Sequence, residues 1–182
     1  AWTDAASQHP SSGNDIYAQV VSLAGEVVGS VFSVTSAAGD QDAGGVAFDG
    51  TNFLVLWWGA EGLRGRLVSP AGQVLGSELV ITSAQIEGQI SVAFGGGQYL
   101  VVWVEGLSGV WSTKGVLLSA SGQIGSILPI GQATSDKYNP TSVAFGAGLR
   151  VASGPAAWRA AHWVGSGRLG WASYCTSPTS RM

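Results

Sequence analysis

With a single cysteine, Cys175, the chain can form no intrachain disulfide, and cysteine usage says nothing of its redox compartment. No Cys-His motif surrounds that thiol, so nothing in the sequence marks it as a nucleophile. Histidine is almost as scarce. His9 and His162 are the only two, so any catalytic triad or imidazole-bearing metal site must use one of them. Charged residues make up 10% of the chain and the net charge is −3. A nucleic-acid binder normally carries a basic patch interleaved with aromatics, and none is present. The longest apolar runs, such as residues 53–58, are too short to span a bilayer. Neither nucleic acid nor membrane is therefore expected as a partner. Gly-x-Ser-x-Gly, Walker, His-Glu-x-x-His and Cys-x-x-Cys motifs are all missing.

What the chain has is glycine, 28 residues of it, with eight tryptophans. High glycine with many aromatics and few charges points to short strands joined by tight turns, because glycine supplies the positive-φ positions of turns. Two blocks recur in step. The segment Gly44-Gly-Val-Ala-Phe-Asp-Gly-Thr-Asn-Phe-Leu-Val-Leu-Trp57 returns as Ile90-Ser-Val-Ala-Phe-Gly-Gly-Gly-Gln-Tyr-Leu-Val-Val-Trp103, and its first half as Thr141-Ser-Val-Ala-Phe-Gly-Ala-Gly148. The second block is Val21-Ser-Leu-Ala-Gly-Glu26, then Val68-Ser-Pro-Ala-Gly-Gln73, then Leu118-Ser-Ala-Ser-Gly-Gln123. The Val-Ala-Phe triplets are spaced by 46 and 51 residues.

Each unit reads as four short strands. The first is the Val-Ala-Phe segment and the second the Phe/Tyr-Leu-Val-Val/Leu-Trp segment. The third covers 16–22, 63–69 or 115–119, and the fourth 31–35, 78–82 or 127–130. The second strand is apolar throughout, as expected of a strand covered on both faces. Four strands every 46 to 51 residues matches the blade of a β-propeller of the WD40 or kelch kind. Over about residues 2–148 the sequence resembles the degenerate propeller repeats of large bacterial exported proteins. That resemblance implies an all-β partial β-propeller of four-stranded antiparallel blades, from an exported or extracellular parent. The Gly-His and Trp-Asp pairs of WD40 blades and the diglycine pattern of kelch are absent, so neither family's functional residues carry over.

The repeat is broken at both ends. Trp2 stands where Trp57 and Trp103 close their second strands, and after Gly148 the expected Tyr-Leu-Val-Val-Trp strand is replaced by Leu149-Arg-Val-Ala-Ser153. From Leu149 to Met182 there is no acidic residue, yet the segment holds four of the eight basic residues and three of the eight tryptophans. The expected organisation is a partial propeller over 1–148 and a non-repeat tail over 149–182. A short helix is expected over 155–164, with Pro155 at its start and Gly165 at its stop. An unclosed set of blades leaves apolar faces and strand edges in water, so the chain is expected to close its ring as a homo-oligomer, most simply a homodimer.

Strand order puts two kinds of loop at one end of the blades: residues 3–14, 59–62 and 105–114, and residues 36–45, 83–89 and 131–140. Seven of eleven acidic residues fall there and Asp15 adjoins them, with His9. Polar loops of varied length on a rigid frame are where binding and catalysis usually reside. One expected function is a metal-dependent hydrolase of activated esters, lactones or phosphoesters. A zinc or calcium ion held by Asp4, His9 and His162 would polarise the substrate and lower the pKa of bound water, with His9, Glu61 and Glu105 as catalytic groups. The alternative is a lectin-like module, binding a glycan rather than a small-molecule substrate, or a non-catalytic scaffold. Trp57 and Trp103 read as core, and Trp111, in a long loop, as the aromatic best exposed for stacking on a sugar.

Overall fold

The computed structural model describes residues 1–4, 13–87, 90–107, 110–133, 141–145, 149–153, 159–164 and 168–173. Side chains are described as far as residue 131, except at 107 and 110, and again at Val143. The secondary structure of these residues is all-β, in four antiparallel meanders with every strand beside its sequence neighbour. The first sheet has three strands, β1 (Trp2–Asp4), β2 (Asp15–Val21) and β3 (Val27–Thr35). The second has β4 (Gln41–Phe48), β5 (Phe53–Gly59), β6 (Gly62–Val68) and β7 (Val74–Thr82). The third has β8 (Ser91–Gly95), β9 (Gln98–Leu107), β10 (Val110–Ser119) and β11 (Leu128–Ala133). The fourth has β12 (Thr141–Phe145), β13 (Leu149–Ser153), β14 (Arg159–Val164) and β15 (Arg168–Ser173).

Register carries the sequence repeat into space. Trp2 pairs Tyr17, Trp57 pairs Arg64 and Trp103 pairs Lys114, so the three tryptophans hold one place in three successive sheets. The second repeated block makes the hairpin between third and fourth strands. Ser22, Ser69 and Ser119 each accept, at Oγ, the backbone N–H four residues on, at 3.1, 3.1 and 3.0 Å. Gly25, Gly72 and Gly122 in these turns have φ of 83°, 78° and 83°, a conformation that L side chains resist.

Sheets stack face to face. Ile16, Ala18 and Val34 of the first meet Val55, Trp57 and Val68 of the second. Leu54, Leu56, Leu63 and Ile81 of the second meet Tyr99, Val101, Trp103, Val116 and Leu118 of the third. Leu100, Val102 and Ile130 of the third meet Val143 of the fourth. Strand β5 thus sends alternate residues into two cores, which is why its sequence is apolar without a break. The first strands also adjoin, β4 against β8 and β8 against β12. Gly44 and Gly45 permit the former approach, since a Cβ there would lie 3.0 Å from Ile90 Cδ1 or 3.1 Å from Val92 Cγ1.

At the end of the sheets away from the acidic loops, Tyr99 of β9 ties the third sheet to the β4–β5 turn of the second. Its hydroxyl donates to the Asn52 carbonyl at 3.3 Å. Burial, and beyond it the hydrogen bond and charge of Asp49, push the phenol well above its usual range. Burial works to raise the Asp49 carboxyl, but hydrogen bonds from the Asn52 and Thr51 amides and from Tyr99 outweigh it and hold the group below 3.8.

Two local expectations are corrected. The helix expected over 155–164 is strand over 159–164, where β14 pairs with β13 on one side and β15 on the other. The helical preference of Ala156, Ala157, Ala160 and Ala161 is a weak local bias, and cross-strand pairing begun by the Val-Ala-Phe strand β12 overrides it. Trp111 is not in a loop. It lies in β10 between Gly106 and Ala133 and is half-buried, because β9 and β10 run on as a paired hairpin past the point where the repeat pattern stops.

Candidate functional site

The polar end of the first two sheets holds a small pocket of about 40 Å³, formed by the β3–β4 connection, the β5–β6 turn and the side chains of Gln41, Trp57, Arg64 and Glu78. Its shape follows from backbone detail. Gly62 has φ of 95°, and a Cβ there would strike the Thr82 carbonyl oxygen, so only glycine lets the turn return this closely. Across the pocket, a Cβ on Gly59 would come within 2.6 Å of the Asp40 carbonyl oxygen.

Arg64 is the centre of the site. Its side chain is 11% exposed, with Nε 3.2 Å from Glu78 Oε1 and Nη2 3.7 Å from Glu61 Oε2. Nη1 donates to the Thr82 carbonyl at 3.0 Å and to the Leu63 carbonyl at 3.4 Å. The guanidinium is fixed from both sides. The pair with Glu78 is partly desolvated, whereas Glu61 is 77% exposed and its longer contact is weak. Gln41 is buried and shapes the opposite wall, its Nε2 donating to the Ala37 and Gly39 carbonyls and its backbone N–H to the Asn14 carbonyl. Its Oε1 is buried with no hydrogen-bond partner among the described residues. An acceptor left bare at that depth costs about 1–3 kcal/mol. One guanidinium faces two glutamates there, a balance that disfavours an anion. The volume is far below the roughly 300–1,000 Å³ of pockets that enclose a whole small molecule. The pocket fits one hydroxyl or amine group of a ligand.

The equivalent place in the third sheet is filled from within. Glu105 Oε2 accepts from Trp103 Nε1 at 3.1 Å, and its Oε1 lies 3.7 Å from Lys114 Nζ. Both carboxylate oxygens are thus engaged inside the sheet. Asp4 pairs with Asp15 at the end of β1 and shares the register place of Glu105, two residues past the tryptophan. Glu61 is two residues further on, in the β5–β6 turn. Among the described residues, no group of three or more His, Cys, Asp or Glu is placed to hold a metal ion. His9 lies outside the described residues, as does the side chain of His162, whose backbone is in β14.

Of the expected residues whose side chains are described, Glu61 lines the pocket, and Asp4 and Glu105 do not. Sequence reasoning does not select Arg64, Gln41 or Glu78. One signal was available: Arg64 and Lys114 stand at the same place in the repeat, a cation recurring four residues before Val68 and Leu118. Comparison with known proteins found no matching family model, no matching curated protein and no matching solved structure.

Proposed function

We propose that this chain is a segment of a β-propeller, similar to bacterial propeller repeats, whose four sheets are blades closed into a ring by a second copy. We propose further that it is a lectin-like binding module, taking a hydroxyl group of a glycan into the Arg64 pocket. The carrying observation is the pocket itself: a fixed guanidinium flanked by two glutamates, and room for one polar group. A rigid site of this size suits recognition of a projecting sugar hydroxyl, and repeated blades add avidity when several sites engage one glycan. The hydrolase expectation draws nothing from this pocket, and the zinc or calcium it calls for would rest on the histidine side chains beyond the described residues.

The test is a glycan array followed by calorimetric titration of the best binder against the parent chain and Arg64→Met. Binding that weakens at least about tenfold in the variant, with the fold retained, supports the reading, because loss of one well-placed polar partner is worth about that much. Absence of glycan binding overturns it. So does bound zinc or calcium together with chelator-sensitive turnover of an ester, lactone or phosphoester, which would make the chain a metal-dependent hydrolase.

A further inference from the structure

The second and third sheets turn the same face toward their predecessors, and the residues at its centre are shut from water. In the second sheet Trp57 and Val68 are 2% exposed. In the third, Trp103 and Leu118 are fully buried. Their counterparts in the first sheet are Trp2 and Val21, at 40% and 57% exposure. The turn glycines repeat the contrast. A Cβ on Gly72 would touch the Phe32 ring at 3.0 Å, and one on Gly122 the Leu79 side chain at 3.1 Å, each in the preceding sheet. Gly25, at the same place in the first sheet, meets nothing within 4 Å. The first sheet thus carries the face that its successors bury, with nothing against it among the described residues.

The occupant follows from the rule that buries the other faces. Each is covered by the opposite face of a neighbouring sheet, and within this chain the sheet with no successor is the fourth. We infer that the Trp2–Val21 face of the first sheet receives the fourth sheet of a second copy of this chain, head to tail. Charge agrees with the pairing. The paired positions Leu54–Leu67 and Leu100–Leu117, on the successor-facing side, correspond by register to Arg150–His162 in the fourth sheet. Asp4 occupies the same face of the first sheet as Trp2, two residues along β1. Basic positions are brought against an aromatic and acidic face. The contact is heterologous, and made twice around a two-fold axis it closes. Two copies then give eight sheets, within the range of about four to eight blades known for closed rings. This inference rests on the reading of the sheets as successive blades, but not on glycan binding.

Sedimentation equilibrium over a wide concentration range tests it. The parent chain is expected to be a dimer, and Val21→Glu and Trp2→Ala to raise the dissociation constant by about tenfold or more, as loss of a central apolar anchor does. Val80→Lys, at a 54% exposed position of β7 away from this face, is expected to change nothing. Circular dichroism establishes that each variant is folded, and Trp2→Ala serves if Val21→Glu does not fold. For orientation, in a Cys175→Ser background, Trp2→Cys should cross-link to Arg150→Cys in a mixture of the two and not to itself. A parent chain that is monomeric throughout overturns the inference, as does a dimer indifferent to both face variants or a Trp2→Cys chain that cross-links to itself. A monomer that still binds glycan would defeat this interface and the ring closed by a second copy while leaving the lectin reading standing, and a dimer that binds none would defeat the lectin reading alone.

Discussion

Trp103 and Trp2 occupy the same register place, so truncating each to alanine asks how much of the stacked core rests on that place. Trp103 is fully buried between the second and third sheets, and its Nε1 donates to Glu105. A tryptophan buries about 150–250 Å², which at about 25 cal/mol per Å² is roughly 4–6 kcal/mol of transfer free energy. Alanine keeps part of that area and the site collapses in part, which puts Trp103→Ala at about 3–5 kcal/mol. Loss of the hydrogen bond to Glu105 adds about 1 kcal/mol. Against a total stability of about 5–15 kcal/mol that is a large part of the fold. Trp2 is 40% exposed at the end of a three-residue strand, and its truncation should cost less than about 2 kcal/mol when the chain is dilute. That smaller cost should grow with protein concentration, because a face covered by a second copy links folding to association. Urea denaturation of both variants at two widely separated concentrations measures all of this. Equal losses for the two tryptophans, or a Trp2→Ala loss that ignores concentration, would refute the reasoning.

Gly62→Ala forces a β-carbon at φ of 95° onto the Thr82 carbonyl and to 2.8 Å from Ser83 Cα. The left-handed penalty of about 1–2 kcal/mol plus the displacement should bring the loss to about 3 kcal/mol, read by thermal unfolding. Asp49→Ala removes the acceptor of the Thr51 and Asn52 amides and should cost about 1–2 kcal/mol at neutral pH. The Asp49 carboxyl titrates below 3.8 in the folded chain, so its stabilisation is complete above that pH and fades as acid protonates it. The gap between parent and Asp49→Ala should therefore close in urea titrations run progressively below pH 3.8. Tyr99 titrates above its usual 10.0, so its contribution holds below that pH and falls away as alkali ionises the unfolded chain first. Tyr99→Phe should flatten the alkaline loss of stability seen for the parent chain above pH 10.

The strand plan of the first three sheets was legible because two signals coincide there. The unbroken apolar run of β5 and β9 and the Ser-x-x-Gly turn each state their geometry in residue types, through burial on both faces of a strand and the positive φ of glycine. Where one signal lapses, the reading drifts. Around Trp111 the pairing of β9 with β10 runs on to Leu107 and Val110, beyond the apolar block that ends near Trp103, so a paired strand reads as loop. Over 155–164, proline and alanine offer a helix that pairing along β12, β13 and β14 outweighs. The pocket was the least legible part. Arg64 becomes a site only when the β3–β4 connection comes across it, and Gln41 is recognisable only once its amide is seen with donors used and acceptor bare.

The central claim is that four stacked sheets are part of a ring that a second copy completes. Small-angle X-ray scattering with in-line light scattering tests it in one experiment. The account predicts a particle of twice the 18.5 kDa chain mass, with a compact radius of gyration of about 21 Å. A particle of single-chain mass, with a radius near the roughly 16 Å of one compact chain, would contradict it.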